Sequence, residues 1–195
     1  RFQSVDGGMI ANEIRTLLSY NSAGLVETET VQNWDTTAAA PTGTWIATQR
    51  STYDYDGSGN VTQRVDEFWD RDAQNWVPSS QTLNTYDASD RLAEQVIQTA
   101  DGSGGWINSE RTENTYGPNG LTQTIEQEWD LFFQTWRDDF RTLFTSPSAD
   151  TEIETDQFWT GIDWENDGIM VLNVEEKEER GVVRLSVELD PMDLE

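Results

Sequence analysis

With neither Cys nor His in the chain, any chemistry must rest on its 37 Asp and Glu, its hydroxyls and its aromatic rings. That removes disulfides, thiolate and imidazole metal sites, Ser-His and Cys-His nucleophile systems and histidine pH switching. Paired carboxylates such as Glu126 with Glu128 have the residue types for glycoside hydrolysis, but among so many acids such pairs arise everywhere and none is singled out. The nine Trp are more informative. Trp34 with Trp45, Trp69 with Trp76, Trp129 with Trp136 and Trp159 with Trp164, together with Trp106, form a candidate aromatic strip on which sugar rings could stack, with nearby Asp, Asn and Gln as hydrogen-bond partners. Packing between repeats accounts for the same rings more economically. The run Asp54-Tyr-Asp56-Gly-Ser58-Gly-Asn60 imitates the start of a calcium loop, yet the twelfth position, where a bidentate Glu belongs, is Val65. An ordinary Asp/Gly hairpin turn is expected there, and no catalytic residue, metal or cofactor is assigned.

The elements that would position these rings follow from self-similarity. Tyr20, Tyr55, Tyr86 and Tyr116 are separated by 35, 31 and 30 residues, and the next step of 30 reaches Ser146. Trp45, Trp76, Trp106 and Trp136 each precede the corresponding anchor by ten residues; Met9 to Tyr20 reads as the same segment with one insertion, and Trp164 to Val174 as a degenerate last copy. A second Trp follows the anchor after 13 or 14 residues at Trp34, Trp69, Trp129 and Trp159, while the third unit has Thr99-Ala100 there. All nine Trp thus occupy one of two repeat slots.

Each unit carries two turn signals, one after the anchor, as in Asp56-Gly-Ser-Gly-Asn60, and one between the Trp slots, as in Asp70-Arg-Asp-Ala-Gln-Asn75. The intervening runs of about ten residues are rich in Thr, Val, Ile and aromatics and read as strands. Val61, Gln63, Val65, Glu67 and Trp69 half-fill one face, while Thr62, Arg64, Asp66 and Phe68 make the other largely wet. The expected fold is all-β: an antiparallel meander of ten to twelve strands, two per repeat of about 30 residues, forming an open twisted or coiled sheet or a partial barrel. The array is expected over residues 1–174, with a terminal capping hairpin and tail over 175–195. Phe132, Phe133 and Trp136 fall in or beside a predicted turn, an unusual place for large apolar groups.

Leu, Ile, Val and Phe make up about a fifth of the chain, and the formal charge is −25. That charge excludes a nucleic-acid binder. Eleven of the twelve basic residues are Arg, with Lys177 alone as Lys, and acids are spread along the whole length, which points to a protein living in concentrated salt. No apolar run approaches the length of a membrane span. A start at Arg1, in the middle of a repeat, is expected of a processed form or an excised piece.

Tyr53-Asp-Tyr-Asp-Gly-Ser-Gly-Asn-Val-Thr62, Thr85-Tyr-Asp-Ala-Ser-Asp-Arg-Leu-Ala-Glu94 and Thr115-Tyr-Gly-Pro-Asn-Gly-Leu-Thr122 resemble the Tyr-Asp-x-x-Gly-x-Leu/Val units of the YD repeats in Rhs-type proteins and teneurins. They resemble still more the Trp-containing tyrosine-aspartate repeats of secreted Bacteroidetes proteins. The likeness spans roughly residues 9 to 174. It implies a β-rich shell or spacer without catalytic residues, secreted or in the cell envelope, with a structural or binding role. The resulting expectation is a non-enzymatic spacer or adhesion surface whose partner is a polysaccharide or an envelope protein. A carbohydrate-binding or carbohydrate-active module using the Trp strips is the alternative, and a cargo-enclosing shell fragment a third.

Overall fold

The computed structural model describes residues 13–35, 43–148, 151–175 and 184–189. Twelve strands occupy most of them: β1 (Ile14–Tyr20), β2 (Val26–Asp35), β3 (Thr44–Tyr55), β4 (Val61–Asp70), β5 (Asn75–Tyr86), β6 (Leu92–Ala100), β7 (Trp106–Gly117), β8 (Gly120–Asp130), β9 (Thr135–Ser148), β10 (Thr151–Trp159), β11 (Trp164–Glu175) and β12 (Arg184–Leu189). Sheet order follows chain order from β1 to β12 with no crossover. This is the antiparallel meander, two strands per repeat, that the spacing of turn signals predicts. The chain divides into two compact units, Arg1–Leu83 with Gln98–Ile107, and Asn84–Ile97 with Asn108–Glu195. Strand β11 runs through the boundary expected at residue 174, and β12 pairs with it from Met170↔Leu189 to Glu175↔Arg184. Met9, the Pro41 turn, Ala149-Asp150 and residues 176–183 of the expected terminal hairpin lie outside the described residues.

The loops that follow the tyrosine anchors explain why Asp and Gly recur there. In Asn21–Leu25, Asp56–Asn60 and Asp87–Arg91 the first backbone N–H donates to the fifth carbonyl at 2.9, 3.0 and 2.8 Å. The side-chain Oδ1 of the first residue accepts from the N–H of the third and fifth residues in each loop. Asx turns of this kind satisfy backbone donors that a tight loop would otherwise strand. The fourth residue is left-handed, with φ of 80° at Gly24, 90° at Gly59 and 60° at Asp90, which is why Gly is favoured at that place. The anchor tyrosines then reach back: Tyr55 donates its hydroxyl to the Val26 carbonyl at 2.7 Å, and Tyr116 to the Leu92 carbonyl at 2.9 Å. The loop at Asp54 to Asn60 is therefore the expected hairpin turn, with Asp56 spent on its own backbone.

A second regularity could not be read from composition. The pairing slips by one residue at Val31/Gln32, Asp66/Glu67, Glu126/Gln127 and Asp156/Gln157. The extra residue is Thr48, Ser79, Asp139 or Asp167, always three places after the Trp that opens the strand. Thr48 and Ser79 donate their hydroxyls to the carbonyls of Val31 and Asp66 at 3.3 and 2.9 Å, so the bulge satisfies a backbone group left over by the slip.

No apolar side chain is buried among the described residues; the buried ones are Gln81, 5% exposed, and Gln127, 9% exposed. Gln63 Nε2 donates to Gln81 Oε1 at 2.6 Å, and Gln81 Nε2 donates onward to Gln98 Oε1, a run of amides across β4, β5 and β6. The thin apolar face expected from sequence is thus an aromatic and amide face. A further slip between Asp54 and Tyr55 pairs Val61 with Tyr55 and Gln63 with Asp54. It moves Val61 off the face that Gln63, Val65, Glu67 and Trp69 share.

The loop carboxylates make stability depend on pH. Asn60, through its backbone N–H and side-chain amide, holds Asp56 below the usual carboxylate range; the Arg91 guanidinium does so for Asp87, and the N–H groups of Ser103 and Gly105 for Asp101. A folded pKa below the unfolded one contributes stability that is present above the unfolded value of about 4 and lost as pH falls through the folded values. The triple variant Asp56→Asn, Asp87→Asn, Asp101→Asn keeps an acceptor oxygen in each loop, as Asn21 does naturally. Thermal melts from about pH 6 to about pH 2 are expected to show less loss of stability below about pH 4 in this variant than in the parent. Identical pH dependence would remove the loops from the acid response.

Candidate functional site

The slot-paired Trp meet as cross-strand partners. Trp34 pairs with Trp45, Trp69 with Trp76, Trp129 with Trp136 and Trp159 with Trp164 at the end of each hairpin. Their ring centroids lie 5.2, 5.2, 5.0 and 5.3 Å apart, the first three edge to face and the last tilted. All nine Trp are half-buried, and among the described residues Trp106, whose slot partner is Ala100, makes no such pair. Gly43, with φ at 62°, sits so close to the Trp34 indole that a Cβ there would lie 2.7 Å from it, so the turn must pass as glycine.

A guanidinium lies over the second Trp of every pair: Arg15 over Trp45 at 4.4 Å, Arg50 over Trp76 at 4.7 Å, Arg111 over Trp136 at 5.1 Å and Arg141 over Trp164 at 4.4 Å. Each Arg belongs to the strand two positions earlier than its Trp and bridges the strand between. Its Nε donates to a carboxamide or carboxylate on that middle strand: Gln32 at 2.7 Å, Glu67 at 2.6 Å, Gln127 at 2.6 Å and Gln157 at 2.9 Å. The relay of Arg, Gln or Glu, and Trp ties three consecutive strands on one face. An edge-to-face ring pair adds about 0.5–1.5 kcal/mol beyond its buried area, and a stacked guanidinium about 0.5–1 kcal/mol. In the unit without a second Trp, the Arg position is Gln81 and the middle residue is Gln98.

Among the described residues, the face opposite the relay carries a cleft in each compact unit, in repeat-equivalent places. In the first compact unit a cleft of about 440 Å³ is lined by Val31, Gln49, Ser51, Arg64, Asp66 and Phe68, among others. Phe68 is 46% exposed there and stands between Gln49 and Val77 in the register. Asp66 Oδ1 accepts from Ser51 Oγ at 2.6 Å and from Arg64 Nε at 3.0 Å. Tyr53 donates to Glu29 at 3.2 Å; burial raises its hydroxyl pKa above the ordinary value, against the pull of Arg64 and with the Glu29 carboxylate adding to the rise. In the second unit a cleft of about 230 Å³ has Glu128, Glu126 and Thr112 where the first has Phe68, Asp66 and Ser51. Phe68, Arg64 and Asp66 were legible only as members of a wet face; the signal was an aromatic residue among polar ones.

Phe132 and Phe133 do lie in the turn joining β8 to β9, with Phe132 86% exposed, and Trp136 stands beside it as the second residue of β9. Asp130 Oδ1 accepts from the N–H of both phenylalanines at 2.9 Å, so the turn is closed without help from the rings. Among the described residues no three acids gather as metal ligands, and no helix is long and apolar enough to cross a membrane.

No family model matches the chain, and no curated protein matches it. Among solved structures it is similar to a Bacteroides fragilis protein of unknown function, at 14% identity and a TM-score of 0.54, over 70% of this chain and 94% of that one. DUF3836 family proteins from Bacteroides vulgatus and Parabacteroides distasonis also match, at 11% and 13% identity and TM-scores of 0.43 and 0.36. They cover 49% and 47% of this chain and 99% and 87% of their own. The first of these likenesses supports the fold and nothing beyond it.

If the relay holds three strands together, shortening the planar fork should loosen it. Arg50→Lys, Arg111→Lys and Arg141→Lys are each expected to lower the unfolding free energy by about 1 kcal/mol, because an ammonium cannot bond the middle residue and stack on the indole in the same way. Urea unfolding measures this; three variants as stable as the parent would leave the relay without energetic weight.

Proposed function

We propose that this chain is a non-enzymatic β-repeat protein of the cell envelope or the secreted fraction, serving as a structural spacer or adhesion surface for a polysaccharide or an envelope protein. The observation that carries the reading is the relay: the residues with the most chemistry, Arg, Gln, Glu and Trp, spend their polar atoms and one ring face on holding neighbouring strands. The tyrosine-aspartate resemblance supports the same role, since those repeats build rather than catalyse. Trp-strip recognition of carbohydrate is less well supported, because an Arg already covers the second ring of each pair.

Trp69→Ala, Trp76→Ala, Trp129→Ala and Trp136→Ala separate the two readings. In a spacer each lowers the urea midpoint, by about 2 kcal/mol in free energy, and leaves any polysaccharide binding by the folded fraction unchanged. Loss of binding in a variant that keeps the parent midpoint would transfer the function to the Trp strip. Incubation with soluble polysaccharides is expected to release no reducing ends, and release abolished by Glu126→Gln would make the protein a hydrolase.

The charge reading supplies an independent check. At a formal charge of −25, screening should stabilise the compact state as the Debye length shrinks from about 10 Å at 0.1 M salt to about 3 Å at 1 M. The thermal midpoint is expected to climb between about 0.1 M and about 2 M salt, and a flat profile would overturn the salt-adapted habitat.

A further inference from the structure

We infer that the cleft around Phe68 binds a neutral pyranose unit of a polysaccharide. The inference rests on the adhesion reading and names the ligand of that surface. A pyranose ring with mostly equatorial hydroxyls presents a flat C–H face and a rim of hydroxyls, so its site needs an apolar plate beside convergent donors and acceptors. Phe68 supplies the plate, at 46% exposure on an otherwise polar face. Asp66 receives Ser51 and Arg64 on Oδ1 alone, leaving Oδ2 without a partner among the described residues. Arg64 commits Nε and Nη2 and keeps Nη1, and the Gln49 side-chain amide has no partner among the described residues. An acceptor, a charged donor and an amide that is both thus line the cleft that Phe68 lines, the set a vicinal diol can satisfy.

The charge pattern selects a neutral sugar. Asp66 is compensated by Arg64 at 2.8 Å, which weakens its pull on a basic peptide, and the Glu29 and Glu67 carboxylates that also line the cleft repel an anionic glycan at close range, where salt screens least. The repeats provide internal comparisons. The equivalent cleft of the second unit has Glu128 in place of Phe68 and Thr124 in place of Arg64, and so has neither plate nor guanidinium. A third equivalent keeps Phe158 and the hydroxyl-carboxylate pair of Thr142 with Asp156 at 2.9 Å, but has Glu154 at the Arg64 position.

Affinity electrophoresis of the full chain at molar salt, through gels containing xylan, laminarin or mannan, tests the inference. At least one polysaccharide is expected to retard the parent. Phe68→Ala and Arg64→Ala should each weaken that retardation about tenfold, with urea midpoints confirming that both fold, and Phe158→Ala should leave it unchanged. Retardation by none of the three would overturn the inference while leaving the spacer role, which the Trp series tests by stability. Retardation that survives Phe68→Ala and Arg64→Ala would also overturn it, as would binding of a polylysine probe in place of the glycans.

Discussion

A guanidinium that leans across one strand to cover an indole on the next but one is the contact on which this sheet depends. Aliphatic burial, the usual source of cohesion, is missing: no apolar side chain among the described residues is buried. What replaces it is a face on which each Arg bonds the middle strand through Nε and sets its guanidinium over the ring beyond. The middle residue is Gln or Glu because it must accept from the guanidinium. Where it is Gln it can also donate onward, as Gln127 does to Asp138 and Gln157 to Asn166. Sideways cohesion of this kind suits a repeat, since every relay draws its members from three consecutive strands.

The same constraint explains the basic composition. Lys has no planar fork with which to bond and stack at once, and four of the eleven Arg are held in the relay. Depletion of Lys therefore has a structural cause that holds whatever the salt concentration of the habitat. Some of the acid load is structural too: Asp56, Asp87 and Asp101 close loops on their own backbone, and Asp70 and Asp130 close the turns at the Trp end.

Much of this architecture was legible in the order of residues. The Trp and Tyr spacing located strands and turns, and the meander followed, because aromatics that recur about every 30 positions beside turn signals mark one hairpin unit copied along a sheet. The facing Trp of each slot pair were already implied by hairpins closing between them. The relay was not legible, since Arg15 and Trp45, or Arg50 and Trp76, are far apart in the chain and meet only through a strand that both overlook. Nor were the bulges: Thr48, Ser79 and Asp139 share no residue type, and only their place after a Trp marks them. The Phe68 cleft was hidden for a related reason, as its members look like scattered polar residues until β2, β3 and β4 are laid side by side.

The bulge three places after Trp45, Trp76, Trp136 and Trp164 bears on how such a chain varies. A slipped residue at a fixed distance from an aromatic lock pins the register inside each of these four hairpins. Length variation is thereby diverted to the turns, and the anchor spacings of 35, 31 and 30 residues coexist with an unchanged ten-residue step from Trp45, Trp76 and Trp106 to the following Tyr. Each hairpin is in effect an interchangeable cassette. Duplication or loss of a whole cassette would preserve every relay but the one at the junction, which makes repeat number an easier quantity for evolution to change than strand length.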